Sequence, residues 1–382
     1  MTLYCFVNGH VATAAGVWTG AEMRVEGDRI ADLSPLTDTP ANAIDLAGGW
    51  IMPGFIDTQV NGGGGVLFND ATSVAGIAAI GAAHAGYGTT GFLPTLISDH
   101  PDRIALALEA SDAAIAAGVP GVLGVHIEGP FLADARKGIH DASRFRRLDD
   151  AMIALLSRPH RGQVMVTIAP ELAELDQIRA LAAAGVLVSA GHTEVDEAGA
   201  RAAFDAGLGA VTHLFNAMLP MLHRKPGLVG AALDDPRPWC GLIADGIHVS
   251  PVMLRIAARA RGTDRLMLVT DAMPSVGAVE KDFVLQGRRI RVADGKCAYE
   301  DGTLAGSDLD MAGAVRNAVH MMAVTPDIAA QMAATNPAAF LGLTAERGAL
   351  AAGRRADWVQ LDADLMPVGT WIGGKHHAAG AA

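Results

Sequence analysis

Cysteine is scarce in this sequence of 382 residues. Cys5, Cys240 and Cys297 are scattered, odd in number and without a CxxC pair. A disulfide scaffold is therefore not expected, and a reducing cytoplasm is the natural setting. Cationic residues are in deficit: 29 Lys and Arg face 41 Asp and Glu, a net charge of −12. No broad cationic surface is available, which argues against general binding to nucleic acid or to anionic membranes. A small local anion site remains compatible with that balance. No basic segment followed by an apolar run opens the chain, so no signal peptide is expected. Sequence repeats, heptads and low-complexity linkers are missing too. The one long stretch without Asp, Glu, Lys or Arg runs from Ala71 to Ser98. It holds His84, five glycines and Pro94, and it predicts a buried helix followed by a buried strand, not a membrane span.

What is present is a large apolar content, 51% hydrophobic against 18% charged, which excludes a disordered chain. At about 150 residues per domain the length allows two or three domains, but an α/β barrel can take about 250 residues as one. The first fifty residues, with FVNGHVAT and AEMRVEGDRIADL, read as short strands between Gly and Asp turns. The tail, with ADWVQLDADL and GTWIGGK, reads the same way. Between them lie eight apolar runs: 54–60, 90–97, 121–129, 164–171, 186–192, 210–215, 241–249 and 265–273. Most are separated by helical segments such as ELAELDQIRALAAAG. Apolar strands alternating with helices mean a buried parallel sheet, and eight units suggest a (β/α)8 barrel of the TIM type. Periodicity alone leaves a doubly wound sheet open. The expected fold class is thus α/β. A barrel spans 51–345, and a small β-sandwich is built from 1–50 and 346–382. Residues 276–305 predict a β-hairpin insertion, and 307–323 the last barrel helix.

Polar residues gather at the C-terminal ends of these runs, the face on which barrel active sites are built. His126 and Glu128 end the third run, His192 the fifth and His213 the sixth. Asp245 and His248 follow in the seventh, and Asp271 lies in the eighth. A single His at a strand end is more often structural than a ligand. An ordered set is different: one Glu and two His from neighbouring strands can hold a divalent ion and leave a position for water.

Nine segments occur together in order: MPGFIDTQVNGGGG, VHIEGPF, KGIH, SAGHT, THLFNAM, KPGLVGA, IADGIHV, LVTDAM and TLAGS. In them the sequence resembles the N-acetylglucosamine-6-phosphate deacetylase family of the amidohydrolase superfamily, over nearly the whole chain. The resemblance implies that Glu128, His192 and His213 are metal ligands and that Asp271 is the catalytic acid/base. It implies that His140 polarises the acetamido carbonyl. It also implies substrate contacts from Ile139, His140, Asn216, Ala217, Arg224, His248, Leu304, Ala305 and Gly306. The implied cofactor is one divalent ion, Zn²⁺ or Fe²⁺. The implied substrate is an N-acetylated amino-sugar phosphate, in a cytoplasmic homodimer whose Arg224 reaches the partner's active site.

The pattern departs from many amidohydrolases at the first strand. Gln59 and Asn61 stand where a His-x-His pair would help bind a second metal. Amides are poorer zinc ligands than imidazole, so one ion is expected and the pair is at most a remnant of a second site. His126 is expected either to support the ligands or to be an additional one. His84 is expected to be structural, and Met221, Met267 and Met273 to be core or pocket wall. The glycines at 62–65 lack Walker spacing and are expected to let a loop pass close to the substrate. Three alternatives remain: an N-acetylgalactosamine-6-phosphate deacetylase, another amidohydrolase, and a non-catalytic sugar-phosphate binder.

Overall fold

A computed structural model describes residues 1–380 of the chain. Eight parallel strands follow one another in spatial order: β1 (Phe55–Val60), β2 (Thr89–Ile97), β3 (Gly124–Glu128), β4 (Gln163–Ile168), β5 (Leu187–Ala190), β6 (Ala210–Val211), β7 (Trp239–Leu242) and β8 (Leu266–Leu268). The sheet closes at its C-terminal rim. Asp271 N donates to Gln59 O at 3.0 Å, and Asn61 N to Ala272 O at 2.9 Å. All eight apolar runs are strands, because helices cover the outside of the sheet and side chains fill the inside. The barrel expectation holds, and the doubly wound alternative falls with the closure.

The runs are longer in sequence than the strands. The sixth, 210–215, keeps ladder pairing only at Ala210 and Val211. Beyond it, His213, Phe215 and Ala217 all take positive φ. Left-handed backbone ends extended pairing at once.

Helices between the strands start where side chains satisfy their free N–H groups. Ser73 Oγ accepts from Gly76 N ahead of Val74–Ala85, and Asp196 Oδ1 from Gly199 N ahead of Glu197–Asp205. The charge-free stretch is the first of these helices followed by β2, both packed inward. The barrel floor is apolar: Ile56, Leu93, Leu123, Met165, Ala210 and Met267 meet Phe340 and Leu341 from below. Met267 and Met273 are buried as expected, but Met221 is 44% exposed because its loop stands off the barrel.

The two ends of the chain meet in one six-stranded sheet. Trp358–Leu361 pairs with Trp50–Pro53 on one side and Pro367–Ile372 on the other, with His10–Thr13 beyond. A four-stranded sheet from Thr2–Val7, Ala21–Glu26, Arg29–Pro35 and Ile44–Asp45 lies beside it. Phe6, Met23, Ile30, Ile51 and Trp358 share the core of this region. The last two residues of the expected second unit, 381 and 382, lie outside the described residues.

The insertion after β8 is larger than a hairpin. Phe283–Leu285, Arg288–Ala293, Lys296–Ala298 and Leu304–Ser307 form a four-stranded antiparallel sheet. The fourth strand carries TLAGS back to the barrel rim, where Ser307 N donates to Asp271 O at 2.9 Å.

Trp358 is fully buried, stacked on Trp371 at 4.9 Å and edge-on to Tyr4 at 5.1 Å. Trp358→Ala should cost about 3–5 kcal/mol through lost burial and the cavity left behind. A guanidinium titration followed by tryptophan fluorescence checks this, and an unchanged midpoint would refute it.

Candidate active site

A cavity of about 380 Å³ opens at the C-terminal mouth of the barrel. Asn61, Glu128, Arg136, Ile139, His140, His192, His213, Asn216, Ala217, His248, Asp271, Leu304 and Gly306 are among its lining residues. Several leave their strands in the left-handed region: His192 at φ 50°, His213 at 34°, Ala217 at 52° and Asp271 at 53°. Non-glycine residues pay of order 1–2 kcal/mol for that backbone, and such strain collects at functional sites.

Glu128, His192 and His213 converge. His213 Nε2 lies 3.0 Å from Glu128 Oε1 and 3.1 Å from His192 Nε2, and His192 Nε2 lies 3.3 Å from Glu128 Oε1. All three residues are buried. Ligands about 2.0–2.1 Å from a tetrahedral zinc would be about 3.3 Å apart, so the spacing fits one small divalent ion. The donor set fits as well. Two imidazole nitrogens and one carboxylate oxygen crowd together away from water, where a shared cation satisfies all three. Burial opposes charge on Glu128, yet hydrogen bonds from His192 and His213 hold its carboxyl well below the usual range. Burial opposes charge on His213 too, and its own bond to Glu128 and the Glu128 charge raise it against that effect.

His140 is close enough to compete for the same ion. Its ligand atom lies within 4.8 Å of those of Glu128 and His192. Backbone hydrogen bonds separate the two histidines. His192 Nδ1 faces Arg136 O at 2.7 Å, and a carbonyl only accepts, so Nδ1 carries the proton and Nε2 offers a lone pair. His140 Nδ1 accepts from Ser98 N at 3.2 Å and lies 2.7 Å from Ser98 Oγ. A backbone N–H only donates, so the proton of neutral His140 sits on Nε2. Burial, then His192, pushes its pKa down to about 3, which keeps the ring neutral. The two rings are 4.5 Å apart and have opposite tautomers.

Asp271 faces this group from the segment just beyond β8. Its Oδ1 accepts from Asn61 Nδ2 at 2.6 Å and Gln59 Nε2 at 3.1 Å. Gln59 Nε2 also donates to Glu128 Oε1 at 3.2 Å, so one amide bridges two carboxylates. Burial and the Glu128 charge push Asp271 up to about 6. Gly306 permits the crowding at this wall. At its φ of +59° a Cβ would meet Met273 Cγ at 2.5 Å and Asp271 O at 2.8 Å.

Other expected residues fall differently. Arg224 is exposed on its loop and does not line the cavity, since Met221–Lys225 all face outward. Ala305 points away, into a cluster with Met273, Leu285 and Tyr299. Glycines 62–65 do not reach the cavity. They turn back against Val66, Pro274 and His84, whose Nε2 lies 2.9 Å from Gly62 O. That corrects the expected closeness to substrate, and His84 is structural as expected.

His126 lies one step below Glu128, 2.7 Å from Thr167 Oγ1, with burial holding it down to about 4. Thr167, Thr212 and Ser189 continue the chain of hydroxyls at 2.7 and 2.6 Å. His126 therefore supports the strands that carry the cluster. Ser98, Arg136 and Thr303 escaped the sequence reading. Only Arg136 had a visible signal, lying directly before KGIH.

Comparison with known proteins gives the family of the chain. The amidohydrolase family profile matches residues 50–376. An N-acetylgalactosamine-6-phosphate deacetylase of Shewanella sp. (strain ANA-3) is 40% identical over 86% of this chain and 84% of its own. The human N-acetylglucosamine-6-phosphate deacetylase is 39% identical over 87% and 84%. The crystal structure of N-acetylglucosamine-6-phosphate deacetylase from Pasteurella multocida superposes with a TM-score of 0.93, at 33% identity over 99% of this chain and all of that one. The chain belongs to the amidohydrolase family.

Proposed function

We propose that the protein hydrolyses the acetamide of N-acetylglucosamine 6-phosphate, giving glucosamine 6-phosphate and acetate. The observation that carries this reading is the opposed pair of tautomers. His192 offers a lone pair beside Glu128 and His213, while His140 offers an N–H 4.5 Å away between ring centres. Amide hydrolysis needs both, a site for a Lewis acid and a hydrogen-bond donor for the carbonyl oxygen. The chemistry supplied by one divalent ion, zinc or ferrous iron, on Glu128, His192 and His213 is Lewis acidity that makes water nucleophilic near neutral pH.

This chain's own residues do the rest. His140 Nε2–H donates to the acetamido oxygen and stabilises the negative charge that develops there. Asp271 takes a proton from the attacking water and passes it to the departing sugar nitrogen. Gln59 and Asn61 occupy its Oδ1, which leaves Oδ2 for that proton. Water supplies a hydroxyl to the acetyl carbon and a proton to the amine as the C–N bond breaks.

One ion suffices for the charge. Glu128 and Asp271 carry two negative charges, and a single divalent ion balances them. Gln59 holds the two carboxylates together with amide protons in place of a second cation. Asn216, Ala217, His248, Leu304 and Gly306 hold the sugar phosphate together with Ile139 and His140, all of which line the cavity. Arg224, exposed beside Met221 and Leu222, contributes from a second copy of the chain in a homodimer. The enzyme works in the cytoplasm. Among the described residues no helix is long and apolar enough to cross a membrane.

A second reading has support in the relative of Shewanella, which is named for the galactosamine epimer. Acetate release from both epimers, phosphorylated and not, decides between them. Release from neither phosphate would remove the proposed activity.

Asp271→Asn should retain metal and cut kcat at least a thousandfold, while His192→Ala should lose metal and activity together. Rates and elemental analysis on the same preparations check both. Full metal content in His192→Ala would refute the ligand role.

Gln59→Leu leaves two buried carboxylate oxygens short of a donor, at about 1–3 kcal/mol. It should lower kcat about ten- to a hundredfold with metal still bound. A wild-type rate would refute the bridging role.

The acid limb gives a further check. Asp271 must be ionised to accept a proton, and its enclosure places that ionisation at about 6 before any cation is bound. A cation nearby favours the carboxylate and lowers that value. The fall in kcat/KM on acidification should therefore centre below pH 6, and a midpoint above pH 7 would exclude Asp271 as the base.

A further inference from the structure

We propose that Asp245 is a positioning residue for substrate recognition. Its carboxylate orients His248 so that one defined ring nitrogen, Nε2, meets a substrate oxygen at the cavity wall. The proposal rests on the reading that the cavity takes an amino-sugar 6-phosphate.

The geometry is local and closed. Asp245 Oδ2 lies 2.5 Å from His248 Nδ1, and Asp245 Oδ1 accepts from Ile247 N at 2.9 Å and His248 N at 2.8 Å. Both carboxylate oxygens are thus committed to the loop that carries His248. The side chains are 6% and 7% exposed, so solvent does not weaken the contact much. Burial opposes the charge of Asp245, but the His248 bond holds its carboxyl below the usual value.

A carboxylate only accepts, so Nδ1 of His248 must carry its proton. The nitrogen left for the cavity is Nε2, since His248 is one of the residues that line it. In the neutral ring Nε2 accepts from a sugar hydroxyl. In the protonated ring it donates to a phosphoryl oxygen, with Asp245 as counter-charge. An Asp behind a His fixes tautomer and orientation in the same way in hydrolytic triads. Here the pair stands on the substrate wall, and its effect falls on binding.

The test is Asp245→Asn in the metal-loaded enzyme, with the phosphorylated and unphosphorylated acetylated sugars. KM should rise about ten- to a hundredfold, the range for a hydrogen bond to a charged group. The kcat should stay within about threefold and the metal content unchanged. A rise confined to the phosphorylated sugar assigns Nε2 to the phosphoryl group; a rise with both assigns it to a ring hydroxyl. Either result supports the proposal. In a His248→Gln background, Asp245→Asn should have no further effect on KM, because the two side chains act as a unit. Additive losses, an unchanged KM, or kcat and metal falling together would overturn it.

Failure of the activity itself reads out separately. If wild-type enzyme releases no acetate from either epimer, the proposed function falls. Calorimetric binding of glucosamine 6-phosphate to wild type and variant then tests Asp245 alone, and equal affinities or no binding would overturn its role.

Discussion

The site depends on two backbone groups, the carbonyl of Arg136 and the N–H of Ser98. Each meets the Nδ1 of one histidine, and each dictates whether that nitrogen carries a proton. Imidazole has one proton to place when neutral, so fixing Nδ1 fixes Nε2. His192 and His140 are chemically identical residues in a shared cavity, yet one is made an electron-pair donor and the other a proton donor. A side-chain partner could rotate and blur that assignment. A peptide group held by the fold does not.

The same economy explains the strained backbone. A barrel strand points alternate side chains inward, but the inward position nearest the rim still faces the neighbouring strand. The left-handed turns at His192, His213 and Asp271 end the ladder and swing each side chain over the mouth. The cost per residue is small beside the ladder that supplies it. The hydroxyl chain from His126 through Thr167 and Thr212 to Ser189 ties those ladders together one layer lower. Polar groups this deep are tolerable because each finds a partner.

The eight strands were legible because a parallel sheet buried on both faces requires continuous apolar runs, and this chain has them. The cluster was legible because its members end successive runs on one face of the barrel, an ordered set that isolated structural residues would not give. What was hidden depended on contacts between distant backbone segments. Nothing in SDHP marks Ser98 N–H as the partner of His140, 42 residues away. The glycines at 62–65 signal a tight turn but not which way it folds, and it folds toward Pro274 and His84. TLAGS identifies a segment, while the alternation of its strand decides that Leu304 and Gly306 reach the cavity and Ala305 does not. Arg224 shows the limit most clearly, because its proposed role belongs to a second chain.

Gln59 illustrates how a departure from a pattern can carry its own function. Two carboxylates facing one site repel, and protonation of one is the default remedy. A second metal would be another. The amide of Gln59 offers a third, with both N–H bonds spent on Glu128 and Asp271 and no charge added. Repulsion is relieved without a second cation placed directly on Asp271. A base so coordinated would have its lone pairs committed to the metal and would be weaker. With amide donors on one oxygen, the other remains available to take a proton. Replacing imidazole by an amide at this position therefore trades a ligand for a free base.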